Sequence, residues 1–180
     1  MSNTLGKELV KQCLAGDRLA FGELLRKYEK PVYNVAYRIV GNLDDAADIT
    51  QTVFLKAFEK LDTYNPKHRF FSWIYRIAIN EAINQNRILQ RQQPIEGNEP
   101  MAPGGPESEC EASDLSDRIQ GSLMQLNENY RSVIALRHFA GLSYSEISDA
   151  LDVPEKTIKS RLYSARQLMK ADLIKGGDAC

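Results

Sequence analysis

Apolar residues recur every three or four positions along most of this chain, which is the pattern of amphipathic α-helices. In the first half, the pattern predicts four helices, at about residues 3–15, 18–40, 43–61 and 70–91. Gly41 and Asn42 form a stop signal between the second and third helices, and Ser72 is the expected cap of the fourth. Pro31 lies inside the second helix, so we expect a kink there or a division after Glu29.

The last third of the chain contains two helical stripes separated by a short break. The first stripe consists of Leu142, Ile147 and Leu151. We expect Glu146 and Asp149 to face away from it. Pro154 cannot continue a helix but fits the first turn of a new one. The second stripe follows at Ile158, Leu162, Ala165 and Met169. This layout predicts a helix-turn-helix, and two helices before it, at residues 115–126 and 130–139, complete a domain of about 60 residues.

Polar and cationic side chains occupy the remaining faces of the second helix of this motif. They are Lys156, Thr157, Lys159, Ser160, Arg161, Tyr163 and Arg166. Such side chains can reach base edges and phosphates in the major groove of DNA. The alternative is an ordinary helical hairpin with a solvated basic face. We favour DNA binding, because cations without base-reading polar residues would be commoner on a helix of that kind.

The composition changes between residues 92 and 114, where prolines, glycines and acidic side chains replace the apolar pattern. Neither Lys nor Arg occurs between Arg91 and Arg118. Because such a segment cannot build a core, we interpret it as a flexible acidic linker. The sequence therefore predicts an all-α protein with two small helical domains, at residues 1–91 and 115–176. The second domain carries the helix-turn-helix.

The bulk composition narrows the function classes. A chain of 180 residues that is 43% hydrophobic is typical of a soluble globular protein. Because the net charge is only -1, any nucleic-acid binding must come from local patches of positive charge.

Cys13, Cys110 and Cys180 are far apart, and neither His68 nor His138 has a thiol nearby, which argues against a zinc site and favours a reducing cytosol. No apolar run approaches the roughly 20 residues that cross a bilayer, and the start has no signal-peptide core. We expect no cofactor and no catalytic activity, because the sequence has no catalytic triad, metal cluster or phosphate-binding glycine loop.

The fourth predicted helix has more large side chains than one buried stripe can hold. They are Phe70, Phe71, Trp73, Tyr75, Arg76, Asn80, Asn84 and Arg87. Aromatic rings mixed with Arg and Asn suit strand-separated nucleic acid, since each base offers a face for stacking and an edge for hydrogen bonds. The alternative is that the aromatic residues form the core of a small bundle. For Trp73 and Phe71 the pattern leaves both possibilities open.

The third predicted helix opens with Asp44, Asp45 and Asp48. Acidic side chains in a first turn are stabilised by the positive end of the helix dipole. Taken alone, these residues are explained by capping.

Three segments together resemble the extracytoplasmic-function (ECF) sigma factors of bacterial RNA polymerase. They are DDAADITQTVFLKAFEKLDTY, FFSWIYRIAINEAIN and LRHFAGLSYSEISDALDVPEKTIKSRLYSARQLMK, at residues 44–64, 70–84 and 136–170. The likeness covers nearly the whole chain, and the order and spacing of the segments around a variable linker are more specific than any one of them. A glycine often seen in the helix-turn-helix turn is replaced by Asp152, which tolerates left-handed geometry.

The resemblance implies roles for three sets of residues. Contacts with the clamp helices of the polymerase would come from Asp45, Asp48, Gln51 and Phe54. The −10 promoter region would be opened and held by Phe70, Trp73, Arg76, Asn80, Asn84 and Arg87. The −35 element would be read by the seven polar and cationic residues of the last helix. Opening of the −10 region turns a base out of the duplex, which costs a few kcal/mol. Stacking and hydrogen bonds to the edge of that base can offset this cost.

The partners that the resemblance implies are core RNA polymerase, promoter DNA and an anti-sigma factor that is often tethered to the membrane. It implies no small-molecule substrate and a bacterial cytoplasmic location, with sequestration by the anti-sigma factor at the inner membrane face. One rival is a stand-alone regulator with an N-terminal sensor bundle and a helix-turn-helix, which binds duplex DNA as a dimer without polymerase. Another is an interaction adaptor without salt-dependent DNA affinity. Residues 70–84 argue against a sensor bundle, which has no need of a surface rich in Phe, Trp, Asn and Arg.

Overall fold

The computed structural model describes residues 3–92 and 110–175, and in these ranges the chain forms eight α-helices and no strand. The N-terminal helices are α1 Asn3–Leu14, α2 Arg18–Val40, α3 Leu43–Glu59 and α4 Phe70–Gln92. The C-terminal helices are α5 Cys110–Met124, α6 Glu128–Ile134, α7 Tyr144–Leu151 and α8 Glu155–Lys175. A 3-10 turn at Leu61–Thr63 follows α3, and a π-helical turn at Ala135–Phe139 continues α6. The all-α prediction is confirmed.

Local side-chain chemistry fixes where the helices begin. The side chain of Asp17 accepts a hydrogen bond from Leu19 N at 2.9 Å and caps α2, while Asn42 caps α3 through Asp44 N and Asp45 N. Gly41 ends α2 with a φ of 77°, a left-handed conformation that is cheap for glycine. The predicted stop at Gly41 and Asn42 is therefore present.

The structure excludes one of the two alternatives at Pro31 and contradicts the predicted cap at Ser72. Helix α2 runs through Pro31 as one element instead of dividing after Glu29, since Val32 and Val35 beyond the proline are fully buried and hold the helix in place. Ser72 does not cap α4, which begins two residues earlier. Its hydroxyl is buried and has no hydrogen-bond partner within the part of the chain that the structure describes.

The helix-turn-helix has the expected turn. Asp152 ends α7 with φ 56° and ψ 45°, so Asp adopts the left-handed conformation here without glycine. The carbonyl oxygen of Pro154 accepts hydrogen bonds from Thr157 N and Ile158 N, and α8 starts directly after it. Ser143 and Glu146 form a reciprocal capping box at the start of α7.

In the N-terminal half, α2 packs against α1, α3 and α4, and its residues Leu24, Val32, Val35, Ala36 and Ile39 are fully buried. In the C-terminal half, α6 and α7 pack against α8, and the residues buried in these helices include Val133, Ile147, Ile158 and Leu162. The two cores are continuous, because α2 also contacts α5 and α6 while α4 contacts α7. The C-terminal helices therefore lie against the second half of α2 and one face of α4.

The predicted linker, residues 92–114, has different bounds where the structure describes it. Gln92 is the last residue of α4, and α5 begins at Cys110, so both ends of the predicted linker are helical. Helix α5 extends the pattern of Ile119 and Leu123 backward through residues that are compatible with a helix but supply little apolar surface. Residues 93–109 and Cys180 lie outside the described residues.

Candidate nucleic-acid interface

Helix α3 presents an acidic and apolar face on the outside of the N-terminal half. Asp48 and Gln51 are exposed and Asp45 is half-buried, as their proposed contacts with a partner require. Phe54 is only 5% exposed and belongs to the core, so its predicted contact with polymerase is wrong for this structure. Its neighbour Leu55, which the sequence reasoning missed, is 66% exposed. Leu55 lies one turn after Gln51 and so extends the same face.

The predicted −10 residues of α4 form one stripe along the helix. Trp73, Arg76, Asn80, Asn84 and Arg87 are separated by three or four positions, which places them on one side. Both asparagines and Arg87 are exposed, while the other two are half-buried. This stripe mixes an aromatic ring, two amides and two guanidinium groups, the groups that stack on bases, read base edges and bind phosphates.

Phe70 is an exception among the predicted −10 residues. Its side chain is 1% exposed, and its ring packs against Tyr28, Tyr64 and Trp73 at centroid distances of 5.3, 5.6 and 5.6 Å. It therefore cannot stack on a base in this structure, and that prediction is wrong. Phe70 instead packs against Trp73 within the core. The hydroxyl of Tyr64 donates to the carbonyl oxygen of His68 at 2.8 Å and so fixes the loop before α4.

Phe71 and Tyr75 settle the open question about the other aromatic residues of α4. Phe71 is 8% exposed, so of the two alternatives for this ring the core is correct. Burial raises the pKa of Tyr75 to about 12, which agrees with a ring that belongs to the core. Trp73, which is half-buried, both packs on the core and retains an accessible part.

The outer face of α8 carries the predicted −35 residues. Ile158, Leu162 and Ala165 are buried, and the polar residues occupy the rest of the helix. The exposed members are Lys156, Lys159, Ser160, Tyr163 and Arg166, and the half-buried members are Thr157 and Arg161. Tyr163 is 67% exposed, so its ring and hydroxyl are accessible to a ligand.

Helix α7 and the π-helical turn add side chains that the sequence reasoning missed. Tyr144, at the start of α7, lies between Arg137 and Lys159, whose charged groups are 5.0 and 5.6 Å from its ring centroid. His138 lies beside Arg166, whose Nε donates to His138 Nε2 at 3.3 Å. The sequence signal was the run Arg137–His138 just before the helix-turn-helix, but only the fold brings it to α8.

The C-terminal half contacts part of the α4 stripe. Arg76 donates to the carbonyl oxygens of Asp149 and Ala150 at the end of α7, the latter at 3.2 Å. Arg87 pairs with Glu128 at 3.0 Å. Asn80 and Asn84 remain exposed between these two contacts.

Both halves of the chain are similar to known protein families. Residues 24–92 match the family profile of sigma-70 region 2, and residues 116–169 match that of sigma-70 region 4. The chain is 31% identical over 182 residues to the ECF RNA polymerase sigma factor SigW of Bacillus subtilis, which covers 93% of this chain and 96% of the relative. It is 33% identical over 172 residues to the ECF RNA polymerase sigma-E factor of Escherichia coli, covering 88% and 89%.

Two solved structures share the fold. CnrH in complex with the cytosolic domain of CnrY matches with a TM-score of 0.75 and 25% identity, covering 95% of this chain and 98% of that chain. The sigma factor RpoE in complex with the anti-sigma factor NepR from Bartonella quintana matches with a TM-score of 0.68 and 24% identity, covering 85% and 96%. Across residues 3–92 and 110–175, no helix combines the length and apolar character needed to cross a bilayer.

Proposed function

The chain belongs to the ECF family of RNA polymerase sigma factors, and from this premise we propose how its surfaces divide the work of transcription initiation. The exposed face of α3, with Asp45, Asp48, Gln51 and Leu55, binds core RNA polymerase. The outer face of α8 reads duplex DNA at the −35 element. The stripe on α4 binds the melted −10 element.

The α4 stripe is the observation that carries this proposal. A regulator that binds only duplex DNA needs the helix-turn-helix but has no use for two exposed amides, Asn80 and Asn84, in a stripe with a tryptophan and two arginines. In the proposed mechanism Trp73 stacks on an unpaired base, the amides bond to base edges, and Arg87 binds phosphate. These contacts favour single-stranded over duplex DNA, and the free-energy difference stabilises the open promoter.

The division into three parts is also a proposal. The first four helices would hold the polymerase and −10 surfaces, residues 93–109 would tether the two domains, and the last four helices would hold the −35 surface. The protein would act by binding alone, without catalysis of its own. Its contribution would be to fix two DNA-reading faces relative to the polymerase.

A regulatory partner is part of the proposal. CnrH was solved with the cytosolic domain of CnrY bound to it. By analogy, an anti-sigma factor would hold this chain in the bacterial cytoplasm at the membrane face until a signal releases it. The test is fractionation of cells that carry the tagged protein. We expect it in the membrane fraction before induction and in the soluble fraction afterwards, and a purely soluble distribution at all times would contradict membrane sequestration.

Transcription in vitro tests the main function. The purified protein is mixed with core RNA polymerase and a pool of fragments of the encoding genome, and transcript starts are mapped. We expect a set of starts that share two upstream sequence elements and are absent with core alone. A pool of starts identical to that of core alone would exclude a sigma factor role for this protein.

A further inference from the structure

Arg166 lies on the polar face of α8 that is proposed to read the −35 element. Lys159, Tyr163 and Arg166 are separated by four and three positions, which places their side chains on one side of the helix. All three side chains are exposed. The first turns of a recognition helix enter the major groove, and Arg166 lies beyond those turns. A backbone phosphate is therefore a nearer ligand for its guanidinium than a base edge is.

The π-helical turn at Ala135–Phe139 borders this face of α8. Ala140 N donates to the carbonyl oxygen of Ala135 at 3.1 Å, which closes the wider hydrogen-bonded ring of a π-helix. The guanidinium of Arg137 donates to the carbonyl oxygen of Leu142 at 2.6 Å and so joins the turn to the segment before α7. Single π-helical turns occur frequently at functional sites, so we asked which side chains this one presents to α8.

His138, within this turn, contacts Arg166. The Nε group of Arg166 donates to His138 Nε2 at 3.3 Å, and Nη2 of Arg166 lies 3.3 Å from the same nitrogen. A neutral imidazole that accepts at Nε2 carries its proton on Nδ1. The imidazole thus engages the edge of the guanidinium formed by Nε and Nη2. The Nη1 group remains to bind a phosphate oxygen.

The surroundings of His138 are cationic, and a neutral acceptor suits them. Burial lowers the pKa of His138, and the charges of Arg166 and Arg137 lower it further, so the imidazole is neutral at neutral pH. The charged groups of Arg137 and Lys159 also lie 5.0 and 5.6 Å from the ring centroid of Tyr144. A further cation at position 138 would repel Arg166, whereas the neutral imidazole holds it by a hydrogen bond.

We propose that His138 is a positioning residue for −35 recognition, which orients the guanidinium of Arg166 toward the DNA backbone. The inference rests on the proposed function, which places Arg166 among the −35 readers. A long arginine side chain loses rotamer freedom when it binds, so a contact that restricts it beforehand lowers the cost of binding. At 3.3 Å between exposed groups the hydrogen bond itself is weak, and its main effect should be on DNA affinity.

The test uses the reconstituted RNA polymerase holoenzyme. The ligand is a labelled duplex that carries the −35 element of a mapped promoter and ends upstream of the −10 element, and a duplex with a scrambled −35 element measures non-specific binding. His138→Leu removes the acceptor, His138→Gln retains one, and Arg166→Ala removes the guanidinium. The double variant His138→Leu/Arg166→Ala completes a mutant cycle. His68→Leu, at an exposed histidine before α4, is the matched control, and circular dichroism reports folding.

We expect His138→Leu to bind the −35 duplex roughly three- to tenfold more weakly than the wild type does. His138→Gln and His68→Leu should bind like the wild type, because the first keeps an acceptor and the second lies outside the −35 surface. Arg166→Ala should lose at least as much affinity as His138→Leu. The double variant should bind like Arg166→Ala alone, because His138 acts through Arg166.

Wild-type affinity of either His138→Leu or Arg166→Ala would overturn the inference. Equal losses in His138→Leu and His138→Gln would overturn it too, since the acceptor would then not matter. A further loss from His138→Leu in the Arg166→Ala background would show that His138 acts by another route. In all these cases the proposed function stands if the wild-type holoenzyme prefers the −35 duplex to the scrambled one. Absence of that preference would contradict the −35 assignment itself.

Discussion

The guanidinium of Arg131 in α6 donates a hydrogen bond to the carbonyl oxygen of Ile39, 92 residues earlier in α2, with an N–O distance of 2.5 Å. The same side chain donates to the carbonyl oxygens of Leu123, Met124 and Leu126 at 2.8–3.0 Å. Burial lowers the pKa of Arg131, and the four carbonyl groups compensate for the water that the guanidinium has lost. One arginine thus closes the α5–α6 turn and joins it to the N-terminal half.

Replacement of Arg131 by Met should destabilise the protein by about 3 kcal/mol, because it leaves several buried carbonyl groups without a donor. Lysine should not restore stability, because one compact ammonium group cannot reach the four carbonyl groups that are arranged around the planar guanidinium of Arg131. Urea unfolding followed by circular dichroism measures the loss. The control is Arg26→Met, at a more exposed arginine of α2. Equal stability of the Arg131→Met and Arg26→Met variants would exclude a structural role for the Arg131 network.

Leu55→Ser should weaken the complex with core RNA polymerase while leaving the fold intact. The side chain is 66% exposed, so a polar replacement removes little apolar packing within the chain but removes apolar contact with a partner. We expect roughly a tenfold loss in affinity, which corresponds to about 1.4 kcal/mol. Binding is measured by fluorescence anisotropy of labelled protein titrated with core enzyme. Leu19→Ser, at a leucine of α2 that is 81% exposed, is the matched control and should bind like wild type.

Arg161→Ala should weaken binding to duplex −35 DNA by about 1–3 kcal/mol if the guanidinium makes a bidentate base contact. The side chain is half-buried at the edge of the outer face of α8, which orients it better than a fully mobile arginine. Affinity is measured on a promoter fragment found by start-site mapping. Lys175→Ala, at the exposed C-terminal end of α8, removes the same charge far from the first turns. Unchanged affinity of the Arg161→Ala variant would remove this residue from the proposed −35 readers.

Asn80→Ala should leave duplex −35 binding intact and reduce open-complex formation several-fold, because only a melted base presents the edge that the amide reads. Permanganate footprinting of unpaired thymines with the reconstituted polymerase measures opening. Gln12→Ala, at an exposed amide of α1, is the control. If duplex binding and opening fall equally, Asn80 supports the structure and does not read a base.

Sequence periodicity was sufficient to predict the helices and the main buried stripe of the helix-turn-helix. The stripe of Ile158, Leu162 and Ala165 on α8 is buried as predicted, and Asp152 and Pro154 form the expected turn. Such patterns depend only on spacing along one helix. The buried stripe of a helix can therefore be predicted before any tertiary contact is known.

Contacts between distant segments could not be predicted from this periodicity. Phe54 and Leu55 are adjacent apolar residues of α3, and packing against the neighbouring helices decides that the first is buried and the second exposed. Arg131 gave no signal of its role, because its acceptors come from two turns that are far apart in sequence. Arg76 lies in the α4 stripe that the spacing predicts, but its partners at the end of α7 depend on how the halves pack.

Protonation of His138 should destabilise the C-terminal half. Burial lowers the pKa of His138 below its ordinary value of 6.5, and the nearby charges of Arg166 and Arg137 lower it further. The unfolded chain therefore binds this proton at a higher pH than the folded chain does. The neutral His138 side chain therefore contributes to stability above pH 6.5. This contribution is lost as the pH falls through the lower pKa of His138 in the folded state.

His138→Gln keeps a hydrogen-bond acceptor for Arg166 but cannot titrate, so it should remove this part of the pH dependence. The measurement is the urea midpoint at about pH 5.5 and about pH 7.5, on either side of the ordinary histidine value. The wild type should lose more stability between the two conditions than the variant does. His68→Gln, at an exposed histidine, is the matched control. The stability of this variant should still change between the two pH values by the contribution of His138. If the urea midpoint of His138→Gln changes between the two pH values as much as that of the wild type, the depressed pKa of His138 does not contribute to acid sensitivity.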